Sequence, residues 1–147
     1  MTRSFGYATA LTSHLPDAVR VLDPFHVVRL ALAAVDDVRR RVQHAQTGHR
    51  GRTGDPLDGI RRVLRRRADP PAVKARARLE AGLIAGDPNG ATTIAWTVVQ
   101  QVMDLYQHDD RDQARAAAAA ELIAALRECP IEELARLGRT LHAWREG

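Results

Sequence analysis

Val21-Leu22-Asp23-Pro24-Phe25-His26-Val27-Val28-Arg29-Leu30-Ala31-Leu32-Ala33-Ala34-Val35-Asp36-Asp37-Val38-Arg39-Arg40-Arg41-Val42-Gln43 (residues 21–43) changes its hydrophobic period partway along, and that change decides the fold class. Before it, Val19-Arg20-Val21-Leu22 alternates and is β-branched, which predicts a short strand. After Asp23-Pro24 the period becomes helical. Phe25, Val28, Leu32, Val35 and Val42 recur at near-heptad spacing, and Val27, Leu30, Ala31, Ala34 and Val38 widen the face. Asp23 suits the N-cap and Pro24 the first helical position. Arg39, Arg40 and Arg41 fall in the last turns, where cations complement the helix dipole.

Working outward, the remaining segments read as helices. Phe5 to Leu15 carries a modest helical pattern that stops at Pro16. Thr47 to Pro56 holds three glycines and a proline in ten residues, so it is a loop. A short basic helix is expected from Leu57 to about Arg67, with Ile60, Val63 and Leu64 as its apolar side. Asp69-Pro70-Pro71 breaks it, and another helix follows over Val73 to Ala85. Asp87-Pro88-Asn89-Gly90 is a turn. Thr92 to Gln107 is expected to bury Ile94, Trp96, Val99, Met103 and Tyr106. Asp109 or Asp110 caps the next helix, which runs through the alanine tract 116–120 to about Arg127. Pro130 opens the last helix, which carries Leu134, Leu137, Leu141 and Trp144. One strand followed by helices cannot satisfy the strand's own hydrogen bonds, so the chain reads as a fragment of a larger sheet-containing domain.

With 147 residues the chain can bury one core and is short for two. No apolar run nears the ~20 residues that span a bilayer, and no signal-peptide stretch follows Met1, so a cytoplasmic protein is expected. Cys129 is the lone cysteine, which excludes an internal disulfide and a cysteine-based zinc site. Residues 39–67 hold ten arginines against Asp55 and Asp58, a segment charge of +8 in a chain of net +4. The remainder is therefore mildly acidic. That asymmetry points to an anionic partner, nucleic acid being the commonest; a solvated arginine face without a partner is the other reading.

Two clusters are candidates for function. Asp23 and His26 lie at the strand-to-helix junction, where α/β enzymes often place functional groups. A carboxylate there would orient the imidazole, or Asp23 serves only as a cap and His26 as a surface residue. The second cluster is Gly48-His49-Arg50-Gly51-Arg52 together with Arg61, Arg62, Arg65 and Arg66. Glycines admit a close backbone approach and arginines neutralise phosphates. No aromatic residue lies between Phe25 and Trp96, so a phosphate-tracking duplex binder fits better than a reader of single-stranded bases. His44 and His49 have no accompanying carboxylate or cysteine pattern that completes a metal site. No dinucleotide, P-loop, zinc-protease or nucleophile-elbow motif is present.

The run Val21-Leu22-Asp23-Pro24-Phe25-His26-Val27-Val28-Arg29-Leu30-Ala31, continued by Val35 to Gln43, then Gly48-His49-Arg50-Gly51-Arg52, then Gly54-Asp55-Pro56-Leu57 to Gly59-Ile60-Arg61-Arg62, closely resembles the ISL-three group of insertion-sequence transposases. Arg78 to Leu83, Gly86-Asp87-Pro88, and Leu137 through Leu141 to Trp144-Arg145 look like the same family, so the resemblance spans nearly the whole chain. It implies an RNase-H-like DDE domain interrupted by a helical insertion, with Mg2+ as the family's cofactor and transposon-end DNA as its partner. Asp23 and His26 match the signature that follows the family's second catalytic aspartate. Residues 1–29 would be the remnant of the catalytic core, a strand plus the start of a helix, and residues 30–147 the helical insertion.

The departures are equally informative. The second aspartate is expected near Thr2, where Met1-Thr2-Arg3-Ser4 has no acid, and the other two acids would fall outside the chain. DDE chemistry needs all three to hold two metal ions. The expectation is therefore a mostly α, truncated transposase fragment. It has no catalytic or metal-binding residue and no cofactor of its own, and it cannot cut DNA alone. Its basic segment (Arg39, Arg40, Arg41, His49, Arg50, Arg52, Arg61, Arg62, Arg65 and Arg66) would hold DNA. The alternative is a helical module that associates with a full-length transposase, or with itself, and modulates it.

Overall fold

Proline at a first helical position costs no hydrogen bond, and the longest helix opens at Pro24. The computed structural model describes residues 24–49, 52, 54–67, 73–106 and 112–146. These residues are mostly helical, and no strand occurs among them. The strand expected at Val19–Leu22, the helix expected from Phe5 to Leu15, and the caps at Asp109 and Asp110 lie outside the described residues. The helices are α1 (Pro24–Thr47), α2 (Pro56–Gly59), α3 (Val73–Gly86), α4 (Ala91–Leu105), α5 (Asp112–Arg127) and α6 (Glu132–Glu146), with a 3-10 turn at Val63–Arg65. The chain divides into two compact units: residues 28–104, and residues 105–147 together with 1–27. Helix α1 runs unbroken across residue 29.

The buried stripe of α1 is Val27, Ala31, Ala34, Val35 and Val38, continued by Arg39 and Gln43. Phe25, expected on that face, is 73% exposed, and Val28 and Leu32 are only half-buried. Small residues, not the largest ones, occupy the centre of the contact. The helix runs four residues past the expected Gln43. It stops at Gly48, whose N–H donates to the His44 carbonyl at 2.8 Å with φ at 79°.

The basic stretch expected as one helix from Leu57 to Arg67 is instead the short α2, a turn, and the 3-10 turn. A regular helix there would stack Arg61 on Arg65, and Arg62 on Arg66, as like charges at i, i+4, each pair costing about 0.2–0.5 kcal/mol. Leu57, Ile60 and Leu64 share one core, where they are at most 1% exposed and join Leu79. Val42, Val63, Leu83 and Trp96 pack around that cluster.

Helix α3 receives this segment through glycines spaced one turn apart. A Cβ at Gly82 would stand 2.7 Å from Ile60 Cγ2 and 3.1 Å from the Pro56 carbonyl oxygen; one at Gly86 would stand 2.7 Å from Leu57 Cγ. The turn after α3 caps α4. The Asp87 carboxylate accepts the Thr92 N–H at 2.9 Å, the Thr93 N–H at 2.8 Å and the Thr93 hydroxyl at 2.8 Å. Along α4 the buried residues are Thr92, Ala95, Val98, Val99 and Val102. Of the five residues expected inside, Val99 is buried, Trp96, Met103 and Tyr106 are half-buried, and Ile94 is 47% exposed.

In the other unit α5 and α6 pack as a helical hairpin joined by residues 128–131. Ile123 and Leu126 meet a face carrying Leu134, Ala135, Leu137 and Leu141. Gly138 permits the approach, because a Cβ there would lie 2.7 Å from the Arg127 backbone nitrogen and 2.9 Å from the Leu126 carbonyl carbon. At the hairpin's side Arg115 Nε donates to the Leu105 carbonyl at 3.0 Å, and its guanidinium lies 5.7 Å from the Tyr106 ring centre.

Two stability predictions follow from these contacts. Asp87→Ala strips the first turn of α4 of a buried acceptor and is expected to cost at least about 1 kcal/mol in urea unfolding. An unchanged midpoint would show that the turn does not cap the helix. Gly138→Ala pushes a methyl group into backbone that cannot move aside, and a loss of about 1–3 kcal/mol is expected. A thermal melt equal to that of the parent would show the α5–α6 spacing to be slack.

Candidate nucleic-acid interface

Charge is distributed along residues 39–67 by what each arginine meets on folding. Arg39 is 5% exposed; its Nη1 donates to Gln43 Oε1 at 3.2 Å and its Nε lies 3.5 Å from Asp36 Oδ1. That guanidinium is part of the interior, so the surface expected of the arginine run is carried by its neighbours. Arg40 pairs with Asp37 at 3.6 Å, with both side chains about half exposed, and Arg41 is exposed.

Between α1 and α2 the loop closes on itself. His49 Nδ1 is 3.4 Å from Asp55 Oδ2 and 3.3 Å from Thr47 Oγ1. The Arg52 N–H donates to the same Asp55 oxygen at 2.7 Å, and the Arg52 side chain is exposed. Arg50 lies outside the described residues.

The segment after α2 holds most of the remaining cations. Arg61 Nη1 donates to the Asp58 carboxylate at 3.1 Å and to the Asp58 carbonyl at 3.0 Å. Arg65 Nη1 donates to Asp36 Oδ2 at 2.8 Å, so Asp36 bridges Arg39 on its own helix and Arg65 in the 3-10 turn. Arg67 pairs with Asp104 at 2.8 Å. Arg62 and Arg66 are exposed and form no ion pair among the described residues. The Gln100 side chain donates to the Arg66 carbonyl at 3.0 Å, which ties the end of the segment to α4.

Arg61, Arg62 and Arg66 line a hollow of about 580 Å³, and Lys74 and Arg78 of α3 line it as well, together with Gly59, Val63 and Ala75. Lys74 and Arg78 also lack an ion pair among the described residues. Sequence reasoning passed over both, because a proline-rich break separates them from the arginine run. The signal was available, since they stand one helical turn apart and share a face.

The signature pair is not brought together among the described residues. Asp23 lies outside them. His26 is half-buried, with its ring edge-on to Trp144, centroids 6.2 Å apart and planes at 88°. Magnesium chemistry of the DDE kind needs several carboxylates on one point. Among the described residues no three His, Cys, Asp or Glu side chains converge as metal ligands, so those residues do not fit the family's metal pair. No described helix is long and apolar enough to cross a membrane.

The family model for DDE transposases of the ISL-three group, described as Transposase, matches residues 2–147. No curated protein and no solved structure matches the chain. A match of that extent, on a sequence whose basic loop and Asp-x-x-His block already resemble the group, shows that the chain belongs to the ISL-three family of DDE transposases.

Proposed function

We propose that this chain supplies DNA contacts rather than strand cleavage to transposition, as an RNase-H-like remnant joined to a helical insertion whose basic segment grips duplex phosphates without reading sequence. The observation that carries the reading is the exposure of Arg62 and Arg66, which form no ion pair among the described residues, in a segment of charge +8. Arg40, Arg41 and Arg52 add exposed positive charge, and the loop of His49 and Arg50 lies between them in sequence. Pairs such as Arg61 with Asp58 are worth about 0–1 kcal/mol in water, so phosphate can displace them. The lack of aromatics between Phe25 and Trp96 favours backbone tracking over base stacking.

Cleavage needs the family's carboxylates, and the position near Thr2 where the resemblance expects the second aspartate carries no acid. On this reading Asp23 and His26 support the DNA end or the catalytic core and bind no metal. A second reading, a helical module that binds intact transposase, is supported by Val73 and Ile84, which stand 84% and 83% exposed on α3. Co-purification with a full-length family member favours it.

The test is the salt dependence of binding to a generic duplex. The parent is expected to bind with a steep negative slope of log K against log salt, about 0.9 per phosphate contacted. Arg62→Ala with Arg66→Ala, which leaves the ion pairs of Arg61 and Arg65 intact, is expected to lower that slope by about two. No binding by the parent at moderate salt would sink the reading. So would Mg2+-dependent strand cutting by the purified chain, which is expected to be nil.

A further inference from the structure

The walls of the basic hollow come from segments far apart in sequence, and this arrangement says more than the arginine run alone. Five cations border one concave space: Arg61, Arg62 and Arg66 from the arginine segment, and Lys74 and Arg78 from α3. Only Arg61 has a carboxylate partner among the described residues, Asp58 at 3.1 Å. Like charges held around a cavity repel one another, and the repulsion is relieved when an anion enters. Gly59, which also lines the hollow, has open space where a Cβ would stand, so a ligand can approach the backbone there.

We infer that this hollow is a clamp for one phosphodiester of a DNA strand, with Lys74 and Arg78 as binding residues contributed by α3. The inference rests on the DNA-contact reading and deepens it, by naming the site and two residues outside the arginine run. Arginine offers forked donors to two phosphate oxygens, and lysine adds a compact charge. A hollow of about 580 Å³ has room for a phosphate with part of its sugars. A second hollow of about 490 Å³ shares Gly59 and Arg78 but is lined also by Asp55 and Ile60, so the cationic character belongs to the first hollow. The duplex rests on the outer arginines while one of its phosphates enters the clamp.

The experiment compares four proteins on the same duplex over a range of salt: the parent, Lys74→Gln with Arg78→Gln, Gly59→Asp, and a control with Arg127→Gln and Arg136→Gln. The control residues are exposed, and lie in the other unit. The double variant is expected to lose about two from the salt slope, and the control to keep the parent's affinity. Gly59→Asp removes no cation and meets no steric obstacle, yet it places a carboxylate at the hollow, so its affinity should fall at least tenfold with an unchanged melting temperature. A parent that binds DNA while both hollow variants bind equally well overturns the clamp and leaves the broader DNA reading standing. A parent that does not bind DNA overturns both. Inorganic phosphate is titrated alone in parallel. Weak, millimolar saturation that the DNA displaces supports the clamp, and tight phosphate binding by a parent that ignores DNA replaces it with a free-anion site.

Discussion

Leu57, Ile60 and Leu64 must reach the interior while the arginines around them stay in water, and the rest of the 28–104 unit is arranged around that demand. Each buried aliphatic side chain contributes about 1.5–3 kcal/mol. All three sit at or below 1% exposure against Leu79. A regular helix would meet the same apolar spacing only by stacking Arg61 on Arg65 and Arg62 on Arg66. The segment instead breaks into a short helix, a turn and a 3-10 turn, which keeps the anchors inside and lets the guanidinium groups diverge. Close seating on α3 then requires Gly82 and Gly86, because any larger side chain there would meet Ile60 or Leu57.

A segment so charged needs more than apolar anchors to stay in register, and Asp36 provides a polar one. It meets Arg39 within α1 and Arg65 from the 3-10 turn, so a single carboxylate fastens the basic segment to the long helix. Gln43, itself 2% exposed, accepts from the buried Arg39 and spares that cation an unpaired interior position. The arginines thus divide by role. Arg65 ties the segment to α1 through Asp36, Arg39 is satisfied within α1, and Arg62 and Arg66 are exposed with no ion pair among the described residues. A run of arginines that looks uniform in sequence becomes a frame and a display surface once it is folded.

That division was the part least legible in the sequence. The helix start at Pro24 and the turns at residues 48 and 87–90 could be read directly, since proline, glycine and aspartate act locally. Helix faces were harder. On α4 the large residues Ile94 and Met103 drew the reading, yet the buried positions are Thr92, Ala95, Val98, Val99 and Val102, with Trp96 half-buried against the core cluster. On α1 Phe25 drew it likewise and stands 73% exposed. Lys74 and Arg78 went unnoticed because the count of charge stopped at Arg67. Their partnership with Arg61, Arg62 and Arg66 exists only in the folded hollow, and no window of sequence contains a distance through space.

Membership of a DDE family raises the question of what a helical region contributes apart from the acids that cut. Metal-assisted cleavage tolerates little displacement of the scissile phosphate, since proximity and alignment supply much of the rate. A DNA duplex bound by diffuse charge alone can slide along its own axis, because each phosphate step looks the same to a flat basic surface. A concave site bordered by cations removes that freedom at one phosphate. The rigid framing of residues 57–66 by Leu57, Ile60, Leu64 and Asp36, and of α3 by its glycine contacts, keeps the two segments that line it in place. On the DNA-contact reading proposed above, holding a duplex in register is a task for this unit's charge and shape, by geometry that its own apolar core enforces.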